Sequence, residues 1–306
     1  MLIYGTIFYW IHYLYRKKRK KEIQKYKSFL INFIKKASFS IVLLILILWS
    51  FWYYQINISP AKMMEYTIRN WDKTVVFQEM SHIWAKSFYE EVKDNLISYK
   101  KDSFVYFFEW VRPGKKENVE KFDQAMWINF DENLYKNFSK IYWVDFQDNS
   151  IYLWLINDLD FNIDVSIDWI VEEYEKNNKS EQKVENKEIQ EDKEIIDINS
   201  KIIDTLSQLN EKELKILVFI NKAILNTLIK SDSAQELITN NFANKQLFDV
   251  ILNWRNRILT KEIIESEYKK IYITYWKLHF SWVLDLLKQN DQNWKITNKK
   301  ELISIK

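Results

Sequence analysis

The sequence has no cysteine, and this absence excludes disulfide bonds and every kind of thiolate chemistry. A metal site in this chain would have to use histidine, aspartate, glutamate or backbone oxygen as ligands. Only three histidines are available, and they are His12, His82 and His279. The search for a functional site is therefore confined to a few positions.

Glycine and proline are also scarce, with two of each, whereas tryptophan occurs 14 times. A chain of this length ordinarily has about 20 glycines, since glycine makes up ~7% of average sequences. Glycine is the residue best suited to positive φ at turns and helix ends. Several tryptophans stand where such chemistry is expected, namely Trp71 in RNWDKT, Trp110 in FFEWVRPG, Trp143 in KIYWVDFQDN and Trp254 in ILNWRNR.

We hypothesise that many of these tryptophan codons are UGA and that the source organism reads UGA as glycine. Translation with a table that reads UGA as tryptophan would then produce this exchange, and the Lys-, Ile- and Asn-rich sequence is typical of an AT-rich genome. Trp10, Trp49 and Trp52 lie in apolar, membrane-like segments and fit as true tryptophans. The alternative is a protein that is simply rich in tryptophan.

Charge is nearly balanced, with 45 Lys and Arg against 42 Asp and Glu and a formal net charge of +3. The basic excess is concentrated near the N-terminus, so we expect no nucleic-acid partner. The length of 306 residues allows one sizeable globular domain with an anchor, or two small domains.

A membrane anchor is predicted at the N-terminus. Residues 38–53, SFSIVLLILILWSFWY, carry no charge, and their extension to about 37–58 reaches the ~20 residues that a spanning helix needs. The segment before it, RKKRKKEIQKYKSFLINFIKK, is strongly basic and marks the cytoplasmic side, which places the main domain outside the cytoplasmic membrane. The apolar residues 1–15 form either a second span or an interfacial helix.

The soluble part begins with a strand–helix–strand pattern. Residues 73–80 and 103–109 are apolar and β-branched or aromatic, and residues 85–101 have apolar side chains at helical spacing. This βαβ-type unit predicts parallel strands in an α/β domain, which we place at residues 70–290.

The rest of that domain is predicted to be mainly helical, apart from a strand at 270–275. Asp164 or Ser166 is expected to cap a helix that begins near residue 167. The charged, low-complexity residues 175–199 are expected to be a linker or insertion, and residues 291–306 a polar tail. The predicted helices are 117–174 in pieces, 200–230, 244–266 and 282–289.

Few residues can carry chemistry. His82 and His279 each follow a strand, where α/β domains place their functional loops. Glu109 ends an apolar strand, so its charge must be paired or bound to something. Arg255 and Arg257 could pair with Glu109 or hold an anionic substrate. Structural histidines and a structural ion pair are the plain alternatives.

With glycine in place of tryptophan, the segments VVFQEMSHIW, SFYEEV, FVYFFEGVRPG, ILNGRNR and IYITYGKLHFSG follow one another in an order that resembles the TraB family. This family, also called the TraB/PrgY/GumN group, includes the Tiki membrane proteases and is related to erythromycin-esterase-like folds. It carries two G-x-x-H motifs, a glutamate closing the second strand, and an arginine-containing helix before the last strand. The resemblance covers roughly residues 70–290 and is most specific at 73–114 and 251–282.

The resemblance implies a mixed β-sheet flanked by helices and metal-dependent hydrolysis of peptides. The second motif would be Trp276-Lys277-Leu278-His279, with glycine expected at 276, and the first would be Glu79-Met80-Ser81-His82. His82, His279 and Glu109 would then bind one divalent metal ion, which acidifies a bound water and polarises the scissile carbonyl.

Two further roles come from the same resemblance. Arg255 or Arg257 would orient Glu109 or stabilise developing negative charge. Glu79 replaces a motif glycine, so it would either crowd the turn and disable the site or supply a general base. The alternatives are a non-catalytic, peptide-binding or signal-dampening membrane protein of the pheromone-shutdown type, or a structural membrane protein with chance motif matches.

The recoding hypothesis predicts the masses of peptides from the native protein. Peptides that contain positions 110 and 276 should have the mass of glycine at those positions, whereas those with Trp10, Trp49 and Trp52 should keep the mass of tryptophan. Peptide mass spectrometry measures this directly. Tryptophan at both 110 and 276 would end the hypothesis.

Overall fold

The computed structural model describes residues 2–19, 25–126, 132–142, 144–147, 150–181, 198–231 and 245–302. Trp143 of the recoding hypothesis and most of the predicted linker at 175–199 lie outside these residues. The chain divides into two compact units, Met1–Tyr54 and Gln55–Lys306.

The N-terminal unit contains two helices, α1 (Leu2–Lys18) and α2 (Tyr26–Tyr53). Helix α2 continues through a π-helical turn at Tyr54–Ile58. Among the described helices, the stretch Tyr26–Ile58, with 33 residues, is the one long and apolar enough to cross a membrane. The helix begins earlier than the predicted span of about 37–58, because the basic residues before that span already have helical structure.

The C-terminal unit contains a mixed, six-stranded sheet, which confirms the α/β class and the flanking of a mixed sheet by helices. Its strand order is β6-β4-β7-β2-β1-β8. Strands β2, β4, β6 and β7 are parallel, and β1 runs antiparallel to both β2 and β8. The strands are β1 (Met64–Arg69), β2 (Thr74–Met80), β4 (Val105–Phe108), β6 (Phe161–Asn162), β7 (Lys270–Trp276) and β8 (Lys295–Glu301). Two further short strands, β3 (Ile83–Trp84) and β5 (Asp145–Phe146), pair with each other.

The helices of this unit cover both faces of the sheet. Their bounds are α3 (Lys86–Lys101), α4 (Lys116–Met126), α5 (Glu132–Tyr142), α6 (Ser150–Leu153), α7 (Ile167–Glu181), α8 (Ile198–Gln208), α9 (Glu211–Lys230), α10 (Lys245–Asp249), α11 (Arg255–Glu265) and α12 (Phe280–Asn290). A π-helical turn, Val250–Trp254, joins α10 to α11, and a 3₁₀ turn, Lys277–His279, joins β7 to α12.

The β2–α3–β4 unit confirms the predicted strand–helix–strand pattern, but its two strands are not neighbours. Strand β7, near the C-terminal end of the chain, inserts between them and pairs in parallel with both. Its residues 271–275 are all buried, as expected for a central parallel strand with both faces covered. The carboxyl ends of β2, β7, β4 and β6 therefore meet at one edge of the sheet.

Alternation along the strands divides the core into two layers. One layer packs β-strand residues such as Phe77 and Ile273 against α11 and α12. The other packs residues such as Val76 and Tyr272 against α3 and α6. Because successive side chains of a strand point to opposite faces, each residue near the edge belongs to a definite layer.

Three features differ from the expected pattern. Strand β1 precedes residue 70, where the domain was predicted to begin. The predicted polar tail contains β8, an exposed edge strand whose polar sequence, KITNKKE, has no apolar alternation that would indicate a strand. The predicted helix 200–230 is broken before Glu211, where Asn210 caps α9 with a reciprocal capping box involving Glu213.

The backbone dihedral angles of Trp254 and Trp276 do not require glycine at these positions. Ser103, at φ 64°, is the one non-glycine residue with positive φ in the described part of the chain. Trp276 has φ −55° and ψ 138°, and Trp254 has φ −70° and ψ −42°. Both conformations suit any L-residue. The hypothesis of recoding thus gains no support from backbone geometry and remains a prediction.

Candidate functional site

A buried ion cluster lies at the carboxyl edge of the parallel strands. Arg255, the first residue of α11, donates from Nε and Nη2 to the two carboxylate oxygens of Asp164, at 2.8 and 2.9 Å. Its Nη2 also donates to Oε1 of Glu109 at 2.5 Å. Glu109 directly follows β4 and Asp164 follows β6, so one helix residue joins the ends of two strands.

The cluster is almost fully removed from water. The side chains of Arg255, Glu109 and Asp164 are exposed by only 4%, 13% and 0%. Burial by itself raises the pKa of Glu109, but the Arg255 guanidinium and the backbone N–H of Trp276 lower it below its usual value. Burial and the neighbouring Glu109 raise the pKa of Asp164 to about 6, although Arg255 opposes this shift. Glu109 is therefore held as the carboxylate.

His279 lies beside this cluster and is wholly buried. Its Nδ1 is 2.7 Å from Oδ1 of Asn256, the residue that follows Arg255. Burial lowers the pKa of His279 to about 3, with Glu109 opposing and Arg255 reinforcing the shift. The imidazole is therefore neutral at physiological pH, and among the described residues its Nε2 has no hydrogen-bond partner.

Trp276 connects the two motif histidines. Its ring centroid is 6.3 Å from that of His82 and 6.1 Å from that of His279. Its backbone N–H donates to Oε2 of Glu109 at 2.5 Å. Burial also lowers the pKa of His82, with Glu109 opposing. The structure thus brings Glu109, Arg255, His82 and His279 into one neighbourhood.

Glu79 belongs to a different environment. It lies opposite Tyr275 in the β2–β7 register, and the β4–β7 register places Glu109 on the other side of Tyr275. Two strand spacings put the Cα atoms of the two glutamates roughly 10 Å apart. The Glu79 carboxylate accepts from the backbone N–H of Met64 at 2.9 Å, and burial raises its pKa to about 7. This pKa suits a general base, but the carboxylate faces β1 instead of the ion cluster.

Arg257 also lies apart from Glu109. Its guanidinium stacks over the ring of Trp254 at 5.5 Å, and the side chain lines an open surface groove between α11 and α12. Of the two arginines proposed to orient Glu109, Arg255 is the one that the fold places against it.

The predicted metal ligands do not converge with tryptophan at position 276. A catalytic metal needs about three donors at ~2 Å, and the described residues contain no group of three or more His, Asp or Glu side chains that could hold a metal ion. The indole contacts both imidazoles, and each oxygen of Glu109 already accepts a hydrogen bond. The described arrangement thus offers no ready-made set of three ligands, and the predicted metal remains a proposal.

Sequence reasoning missed two members of the site, Asp164 and Asn256. Asp164 and Ser166 were the two predicted helix caps, and Ser166 fills that role, since its Oγ accepts from the backbone N–H of Trp169 at 3.2 Å. The one available signal for Asp164 was a charge in the apolar run NIDVSI. Asn256 lies between two arginines in the motif NWRNR, and a neutral amide there gives no signal in the sequence.

Comparisons with models of protein families, with curated proteins and with solved structures found no match to this chain. The TraB resemblance therefore remains a prediction from motifs. A function must be inferred from the geometry of the site and from the sequence alone.

Arg255 and Arg257 form a matched pair for testing the ion cluster. Arg255→Met leaves two buried carboxylates without their cation, and we expect it to cost about 3–5 kcal/mol of unfolding free energy. Arg257→Met removes only an exposed cation–π contact and should cost about 1 kcal/mol or less. Urea denaturation of the full chain in detergent, followed by circular dichroism, measures both. Equal losses would mean that the buried cluster does not stabilise the fold.

The raised pKa of Glu79 predicts a specific pH dependence of stability. Because the folded state holds this proton more tightly than the unfolded state, the stabilisation is complete below the ordinary pKa of 4.5 and is lost as pH rises through about 7. The loss should be about 1.4 kcal/mol per pH unit in that window. Glu79→Gln should remove this dependence, and the exposed Glu262→Gln should leave it intact. Parallel curves for wild type and Glu79→Gln would contradict the assignment.

Proposed function

We propose that this chain is a membrane-anchored protein of the TraB type whose C-terminal unit hydrolyses peptides outside the cytoplasmic membrane. The observation that carries the proposal is the buried group of Glu109, Arg255 and His279 at the carboxyl edge of the parallel strands. Buried, perturbed titratable groups at such an edge are typical of functional sites in α/β proteins.

The protonation states of Glu109 and His279 support a role for both side chains as lone-pair donors. Glu109 is anionic and His279 neutral at physiological pH, because their pKa values are both lowered. Low pKa values make both groups weak general bases, since an efficient base has a pKa near the working pH. They are better suited to bind an electrophile than to remove a proton from water.

A divalent metal ion is part of the proposal only for a chain with glycine at position 276. Glycine would remove the indole that contacts both His82 and His279, and it would keep the backbone N–H that binds Glu109. The proposed ligands are then His82, His279 and Glu109. With tryptophan at 276, we assign no metal-dependent step.

The extracytoplasmic location rests on the order of charge and apolar residues. The basic segment precedes the candidate span Tyr26–Ile58 or lies in its first turns, and the C-terminal unit follows the span. The positive-inside rule then places that unit outside. Whether α1 also crosses the membrane decides between a single-pass and a two-pass protein.

One observation favours a second candidate function, a non-catalytic protein that binds peptides or dampens a peptide signal. Both oxygens of Glu109 are engaged, and the ring of Trp276 fills the neighbourhood of the two histidines. If tryptophan at 276 is genuine, its indole lies beside both imidazoles where a metal would have to bind, and peptide binding becomes the better assignment.

Metal content and peptide hydrolysis test the proposal on the full chain in detergent. We expect Trp276→Gly to bind about one zinc or manganese ion per chain and to hydrolyse an unbiased peptide mixture. Adding His82→Ala should abolish both properties. Elemental analysis and mass spectrometry of the peptides are the two measurements.

Trp254→Gly is the matched control, because Trp254 is another candidate for recoding that lies over Arg257, away from the imidazoles. It should leave metal content at the level of the tryptophan-containing chain. A folded Trp276→Gly protein with neither metal nor hydrolysis would contradict the hydrolase. Retained peptide binding after His82→Ala and His279→Ala would then favour the second candidate.

A further inference from the structure

The hydrogen bond between Asn256 and His279 has a consequence for the chemistry of the imidazole. Both residues are 0% exposed, and Oδ1 of Asn256 lies 2.7 Å from Nδ1 of His279. An amide oxygen can only accept, so Nδ1 must donate and carries the proton. A neutral imidazole has one proton, which leaves Nε2 with its lone pair.

Burial makes this choice of tautomer persistent. No water competes for a wholly buried pair, and a buried neutral imidazole takes the tautomer that its fixed neighbour dictates. The opposite tautomer requires the Asn256 amide to rotate by 180° and donate to Nδ1. Nε2 would then carry a buried proton with no acceptor among the described residues. In the observed orientation Nδ2 of Asn256 is also without a partner in the described part of the chain, so the contact of Oδ1 with Nδ1 is the observation that selects the tautomer.

The position of Asn256 is fixed by the neighbouring ion cluster. Asn256 follows Arg255 directly, at the start of α11 and after the π-helical turn Val250–Trp254. Arg255 is held by Glu109 and Asp164, so the position of its neighbour is fixed by the same contacts. Single π-helical turns are frequent at functional sites, where they reorient adjacent side chains.

We propose that Asn256 is a positioning residue that holds His279 as the Nδ1–H tautomer and presents Nε2 as a lone-pair donor. This deepens the proposed function and rests on it for the use made of Nε2. Ligating histidines commonly donate their other N–H to an oxygen acceptor, which orients the ring and selects the tautomer. Asn256 would supply that acceptor here.

The test is the tautomer of His279 in the full chain, uniformly ¹⁵N-labelled in detergent micelles without added metal. The chain has three histidines, so long-range ¹H–¹⁵N correlation spectra can be assigned with His82→Ala and His279→Gln. We expect an Nδ1 signal typical of protonated nitrogen and an Nε2 signal typical of unprotonated nitrogen. The reverse pattern in the wild-type spectrum would overturn the proposal without any variant of Asn256.

Variants of Asn256 distinguish a positioning role toward His279 from a role in packing alone. Asn256→Leu should lose the exclusive Nδ1–H tautomer and give a mixed or reversed pattern. Asn256→Asp keeps an acceptor oxygen and should keep Nδ1 protonated. Asn253→Leu, in the π-helical turn, is the control and should leave the His279 signals unchanged. An unchanged tautomer in a folded Asn256→Leu protein would assign Asn256 a packing role only.

The outcome is independent of the proposed hydrolase. The Nδ1–H tautomer in a chain that neither binds metal nor cleaves peptides would support this inference and contradict the proposed function. The Nε2–H tautomer in a metal-binding, hydrolytic chain would do the opposite.

Discussion

The bonds of Arg255 to Asp164 and Glu109 are the constraint on which the rest of this site depends. Three charges are buried together, and removal of the single cation, Arg255, would leave two carboxylates uncompensated in the interior. The same guanidinium ties the first turn of α11 to the ends of β4 and β6. Asn256 directly follows Arg255 in the chain, so the ion pairs of Arg255 also fix the position of Asn256 and, through it, of His279.

Sheet topology explains why distant parts of the sequence meet there. Strand β7 lies between β2 and β4, so residues near 80, 109 and 276 share one edge. Residues 271–275 of β7 are all buried, as expected for a central parallel strand with both faces covered. The polar, mostly exposed strand β8 forms the edge of the sheet that is remote from the site, next to β1.

Much of the architecture was predictable because it depends on local patterns. Apolar periodicity located β2, α3, β4 and β7 within a few residues, and the burial cost of a charge after an apolar strand pointed to Glu109. Strand β8 was not predicted, because an edge strand buries few side chains and needs no apolar alternation. The role of Asp164 in the site was not predicted, because its partner Arg255 is 91 residues away and a local pattern carries no information on such a pairing.

The sequence by itself determined the long apolar helix near the N-terminus, the α/β class and the small set of candidate site residues, because composition and periodicity are local properties of the chain. Tertiary structure alone decided which of those residues meet. It placed Arg255 against Glu109 and Arg257 at the surface, and it separated Glu79 from Glu109 by the width of β7. Register and strand order set these distances, and both result from the packing of the whole domain.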